Sequence, residues 1–236
     1  MGLKRTLRAA SRWLMAGAAI GAGAYAGYAA VTWRRYGNPS LPEPDEDDPL
    51  LDRFMPEYDV VDRHRIGVAA PASVTLAVAR EMDLLQMPVA RAIFKGREVI
   101  FGADPDERPM PRGLLPAALS LGWVVLAEIT DQKIVVGAVT RPWEANVTFR
   151  SIAAEDFVPF AEPRYVKIVW TLRADPIGPA TSIFRTETRA VATDAEARNL
   201  FRWYWAFLSP GIFLIRRLSL GPLKAEAERR AQGCLV

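Results

Sequence analysis

The chain opens on an apolar run. From Trp13 to Trp33 no side chain is charged, over 21 residues. As a helix rising about 1.5 Å per residue, such a segment reaches about 30 Å, the depth of a bilayer's hydrocarbon core. A Trp stands at each end, with Tyr25 and Tyr28 towards the second, and Arg34-Arg35 follows. That arrangement suits interfacial aromatic belts and a stop-transfer signal. Ala and Gly dominate the run, so insertion is less favourable than for a Leu-rich span. A basic leader, an apolar stretch and small-x-small sites such as Ala24-Tyr25-Ala26 also fit a cleaved signal peptide, and a buried helix is a third reading. The expectation is a transmembrane anchor over residues 1–37. Four basic residues precede the span, and two follow before an acidic run. This places the N-terminus in the cytoplasm and the remaining chain outside.

Residues 38–57 lack apolar periodicity. They carry Pro39, Pro42, Pro44 and Pro49 with five acids between Glu43 and Asp48, which predicts an extended, acidic linker. From residue 58 the pattern changes. Val60, Asp62, His64 and Ile66 alternate with Val61, Arg63, Arg65 and Gly67, as in an edge strand. Pro71 can open a helix that continues through Leu76, Val78 and Met82. A second helix is expected over about Pro88–Lys95, ending at Gly96. Pro105–Pro116 is a Pro-rich loop. Trp123–Glu128 and Lys133–Val139 flank Thr130-Asp131-Gln132, a hairpin pattern. Further strands are expected near Asn146–Ile152, Tyr165–Ala174 and Thr181–Ala192. Asp194 then N-caps a helical pattern running to about Arg230, broken or kinked at Ser209-Pro210-Gly211. The fold class is α+β, with a globular domain over 58–230 and a frayed tail over 231–236.

Charge narrows the function. The chain has 30 basic and 27 acidic residues. Lys4, Arg5, Arg8, Arg12, Arg34 and Arg35 all lie in the first 40 residues, which contain no acid; without them 24 basic residues face 27 acids. The basic balance belongs to the anchor, and a nucleic-acid surface loses its electrostatic argument. Cys234 is the only cysteine and His64 the only histidine. Neither an internal disulfide nor a metal site needing two such ligands can form, and no cofactor is expected. Gly21-Ala-Gly23-Ala-Tyr-Ala26 matches a dinucleotide-binding pattern literally, but no strand precedes it. Gly17/Gly21 and Gly23/Gly27 match a helix-pairing pattern on different faces.

Catalytic signals are sparse. His64 sits between two arginines and reads as a solvent-facing or structural residue. Glu98, Glu128, Asp156 and Glu187 could each supply a carboxylate base if desolvated. As surface acids they form salt bridges instead, and Arg185, Glu187 and Arg189 share one strand face. The stretch Gly211–Ile215 with Arg216-Arg217, Leu218 and Leu220 could lie on lipid headgroups or pack on the domain's own sheet.

Val61-Asp-Arg-His-Arg-Ile-Gly-Val-Ala-Ala-Pro-Ala-Ser-Val74 resembles the first strand and helix start of the START/Bet v 1-like (SRPBCC) superfamily. Thr186–Val191, Thr193–Arg198 and Phe201–Trp205 are similar to its last strand and closing helix. The resemblance implies a helix-grip fold over about 58–230, in which a curved antiparallel sheet wraps a long C-terminal helix around a cavity. On that expectation Ile168, Trp170 and Leu172 line one strand face. Thr186 and Thr188 add hydroxyls from the next strand, and Tyr204 adds a phenol from the helix, a mixture suited to an apolar ligand. The same residues could equally form a filled core. Three functions follow: a membrane-tethered binding domain for a hydrophobic small molecule or lipid, a cyclase/dehydratase-like enzyme using a cavity carboxylate or Tyr204, or a partner-binding domain with a filled core.

Overall fold

The structure is a computed structural model. It describes residues 2–104 and 109–233, with side chains at Gly17 and from Ala19 onward. In chain order the elements are α1 (Gly2–Arg35), α2 (Pro49–Asp52), β1 (Val60–Val68), α3 (Ala72–Glu81), α4 (Pro88–Phe101), α5 (Leu114–Ser120), β2 (Val124–Ile129), β3 (Lys133–Thr140), β4 (Phe149–Arg150), α6 (Ala154–Phe157), β5 (Val166–Gly178), β6 (Thr181–Ala192) and α7 (Ala195–Gly233). The strands form one sheet in the order β1-β6-β5-β3-β2, with β4 on β3. Each pairing is antiparallel. The sheet lies against the long C-terminal helix, which is the expected helix grip.

Period-two alternation gives the sheet two different faces. On the inner face Val68, Trp170, Leu172 and Phe184 pack with Leu220, Leu223 and Ala227 of α7. Nearer the start of α7, Val60, Val166 and Ala190 pack with Phe201 and Trp205. On the outer face Val135, Val139 and Val169 pack with Leu51, Met55 and Phe157. The stretch expected as a free linker is therefore docked. Leu51 and Met55 are buried. Asp48 caps α2 through the Leu51 amide at 3.0 Å and pairs with buried Lys133 at 2.7 Å. Two of the other acids meet arginines of the sheet: Arg65 reaches Asp45 at 2.6 Å and Glu43 at 3.1 Å, and Arg185 reaches Asp45 at 2.8 Å. Apolar periodicity could not show this, because the contacts are mainly charge pairs plus two apolar anchors.

Three boundaries differ from expectation. α4 continues through Gly96 to Phe101 and ends at Gly102, whose φ of 64° makes it the left-handed cap. The strand expected near 146–152 is only Phe149–Arg150. α7 is unbroken through the expected break or kink at Ser209-Pro210-Gly211 and runs to Gly233 rather than to about Arg230, with both Pro210 and Pro222 inside it. Each proline removes one internal hydrogen bond and favours a bend, which packing on the sheet on either side of Pro210 tolerates. Gly211 is required there, because a Cβ would sit 2.8 Å from Ile93 Cγ2 of α4.

Gly17 and residues 19–27 of α1 are exposed, whereas Ala29 and Tyr36 are buried. Among the described residues no helix is long and apolar enough to cross a membrane. Trp13–Ala16, which open the expected span, lie outside the residues whose side chains are described. Cys234, in the expected frayed tail, also lies outside, while residues 231–233 are still helical.

Candidate functional site

β1 puts Asp62 and His64 on the same face as Val60, Ile66 and Val68, pointing at α7 rather than at water. Its register sets His64 opposite Thr186 and Asp62 opposite Thr188 on β6. Thr188 in turn lies opposite Trp170 on β5. Across from them α7 brings Arg216. Asp62 Oδ1 is 2.9 Å from His64 Nε2, and Asp62 Oδ2 is 3.6 Å from Arg216 Nε. Arg216 Nη1 donates to Thr186 Oγ1 at 3.4 Å. The Asp62 side chain is 0% exposed, His64 12% and Arg216 20%. Phe213 stands edge-on to the imidazole at 6.1 Å.

This polar cluster sits between two apolar cores and is incompletely satisfied. Both Asp62 carboxylate oxygens, His64 Nε2 and Thr188 Oγ1 are buried without an aligned hydrogen bond. The Asp62–His64 approach is close enough for an ion pair, but the ring N–H is not aimed along it. Burying a carboxylate costs several kcal/mol unless charges and hydrogen bonds compensate. Compensation here comes from a histidine and from an arginine at the long end of pairing distance. Burial also pulls the Arg216 pKa down, with Asp62 acting against it. Unsatisfied buried groups on this scale call for an explanation beyond packing.

Of the six residues expected to bind ligand, five lie on this inner face and Tyr204 packs from α7, in three groups. Trp170 and Leu172 are buried with the C-terminal half of α7. Ile168 and Tyr204 belong to the cluster around Phe201 and Trp205. Thr186 and Thr188 lie between, beside the charges. Tyr204 stacks on Phe201 at 6.1 Å; burial pushes its phenol pKa up, and nearby Arg97 opposes this. A small cavity of about 20 Å³ lies on the outer face, where Arg63, Arg65, Arg173, Arg185 and Glu187 of the sheet meet Glu46 and Asp48 of the docked segment, room for one water.

The four carboxylates named from the sequence lie elsewhere. Glu98 pairs with Lys95, Glu128 with Arg80, and Asp156 is exposed. Glu187 is buried on the outer face, 2.7 Å from Arg189 and 3.1 Å from Arg63. The inward carboxylate is Asp62, and its partners are His64 and Arg216. The available signal was parity: Asp62 and His64 occupy the same alternate positions as Val60, Ile66 and Val68. Arg63 and Arg65 on either side of His64 mask that parity and suggest a solvent-facing or structural residue.

No protein-family model and no curated protein matches the sequence. Among solved structures, the chain is similar to norcoclaurine synthase from Thalictrum flavum in complex with dopamine and hydroxybenzaldehyde, at 12% identity and TM-score 0.27, covering 68% of this chain and 86% of that one. It is also similar to the Zhui aromatase/cyclase of a Streptomyces species, at 14% identity and TM-score 0.22, covering 72% and 94%. A START superfamily protein from Mycobacterium smegmatis follows at 10% identity and TM-score 0.20, covering 67% and 98%. Values this low bear on neither ligand nor reaction. The helix grip is defined here by the chain's own strand order and crossing helix.

Proposed function

We propose that this chain is a membrane-tethered binding domain whose helix grip takes a hydrophobic small molecule or lipid bearing one polar end. The observation that carries the reading is Asp62, fully buried beside His64, Thr188 and Arg216 with neither oxygen properly satisfied. A ligand hydroxyl or amine could donate to Asp62, and a carbonyl or phosphate could accept from Arg216. The apolar remainder would lie against Ile168, Trp170 and Phe213. The tether is α1, read as a single span with a cytoplasmic N-terminus and the domain on the other side. Its uncharged run, Trp13–Trp33, and the arginines after it support that placement.

The test is native mass spectrometry of the full chain released from nanodiscs, with solvent extraction of bound molecules. A stoichiometric apolar adduct is expected, and Asp62→Asn should reduce its occupancy several-fold. A clean apo mass with no stabilisation by a lipid panel would refute the reading and leave a partner-binding domain with a filled core.

The Asp62–His64 contact also supports a second reading, an enzyme. An imidazole held by a carboxylate can act as a general base on a proton next to a carbonyl, the carboxylate stabilising the imidazolium. An adduct that the wild-type chain converts and His64→Gln binds unchanged would favour this over simple binding.

A further inference from the structure

α1 is held lengthwise against α7, and the two helices run antiparallel. Tyr36 meets Phe201 at 6.0 Å between ring centres, Trp33 meets Trp203 at 4.7 Å, and Tyr28 meets Phe213 at 6.5 Å. Tyr25 donates to the Phe207 carbonyl, and Tyr28 shares a hydrogen bond of 3.1 Å with Ser209. Both helices carry their arginines at the same end of this contact. Arg34 and Arg35 follow Trp33; Arg198 and Arg202 precede Trp203. Arg202 donates to the Trp33 carbonyl at 2.8 Å and lies over the Trp33 ring at 4.1 Å. Past this level α7 has no charged residue from Trp203 to Ile215, 13 residues in all. Its outward side is apolar and open: Trp203 is 57% exposed, Phe207 43% and Leu214 43%. The Trp203 and Phe207 rings stack at 5.5 Å.

An anchor helix and its neighbour that share one level of tryptophan and arginine have the pattern of residues at a membrane interface. Exposed aromatics in such a patch signal an interaction surface. Thirteen helical residues reach about 20 Å, short of the roughly 30 Å of a bilayer core, and α7 continues directly into Arg216-Arg217, so this stretch would meet lipid with its outward face alone.

We infer that the outward face of α7 around Trp203 and Phe207 docks on the phospholipid bilayer beside α1. The inference rests on the reading of α1 as the anchor. It places the closing helix of the grip, one face on Asp62 and the other on lipid, where a bilayer molecule could reach the interior by displacement of α7.

The test uses the full chain in phosphatidylcholine–phosphatidylglycerol vesicles, in a Cys234→Ser background. An environment-sensitive fluorophore is attached through Phe207→Cys on α7, Ile20→Cys on α1 or Ile177→Cys at the exposed β5–β6 turn. Labels at 207 and 20 should shift to the blue, and nitroxide lipids should quench them several-fold more than the label at 177. Quenching at 20 but not at 207, with 207 open to aqueous iodide, overturns the docking while the anchor stands. A label at 207 shielded from both quenchers means a second copy or another protein covers this face, and also overturns it. Quenching at 207 without quenching at 20 refutes the anchor on which the inference rests, and so overturns docking beside α1. As a check independent of labelling, quenching of intrinsic fluorescence by brominated lipids should fall in Trp203→Phe; an unchanged value counts against docking.

Discussion

Asp62 of the first strand and Arg216 of the closing helix approach to 3.6 Å across the sheet–helix interface, the carboxylate with no exposure to water. The pair bridges the two layers of the grip in the region between its apolar cores. Buried ion pairs are expensive to form and expensive to break singly, yet replacing both partners with apolar groups is often neutral or stabilising. Arg216→Met should therefore cost about 3 kcal/mol by leaving the carboxylate with only His64. Asp62→Leu/Arg216→Met should cost clearly less than that single variant. Urea denaturation of the three proteins decides it. A double variant worse than Arg216→Met alone would mean the cluster is there for stability, and would weaken the case for a ligand.

The docked linker makes a prediction that a free tether would not. Leu51 is fully buried against the outer face of the sheet. Leu51→Ala should cost about 2–5 kcal/mol, the usual range for truncating a buried leucine. Limited proteolysis should at the same time speed up between residues 38 and 57. A cost below about 0.5 kcal/mol, the level of an ordinary surface substitution, would mean the segment is not held on the sheet.

How far the sequence reached follows from which forces act at each place. The five inner-face residues share parity within their strands, so their common face was readable. Asp62 and His64 share parity with Val60 and Ile66 too, but a charged residue is expected to face solvent. Only the register His64–Thr186 and the arrival of Arg216 from 152 positions further along the chain show that it does not. The acidic stretch was misjudged for a related reason. Its partners Arg65, Lys133 and Arg185 come from three strands, and long-range charge pairing leaves no periodic trace in the segment itself. The end of α4 was lost to a helix-internal glycine, Gly96, that read as a stop.

Gly122 tests the geometry at the other edge of the sheet. Its φ is 105°, and a Cβ there would lie 2.2 Å from the Phe149 carbonyl oxygen. Its own carbonyl accepts from Ser151 at 2.8 Å, so β4 is held directly over it. Gly122→Ala should force β4 away and cost about 3 kcal/mol, combining backbone strain with steric overlap. The check is a lower urea midpoint at unchanged m-value. Near-wild-type stability would show that the turn before β2 is not held in this conformation.

The far end of α7 offers a pH test with a definite sign. Glu226 accepts from Arg229 at 2.7 Å and from Arg230 at 2.8 Å, and Arg230 also reaches Glu81 of α3 at 2.6 Å. The arginine hydrogen bonds pull the Glu226 pKa down from 4.5 to about 2. A carboxylate whose folded pKa lies below its unfolded value binds protons more weakly when folded, so its stabilisation is present above pH 4.5 and is lost as pH falls from there through about 2. The group is exposed, so salt should screen the effect. Carbon-detected NMR titration should find the Glu226 carboxyl midpoint near 2 at low ionic strength, moving towards 4.5 in 1 M salt and in Arg229→Gln/Arg230→Gln. A midpoint near 4.5 in the wild-type chain at low salt would mean that these arginines do not hold the carboxylate in solution, and that the tie from the end of α7 through Arg230 to α3 is not formed as described.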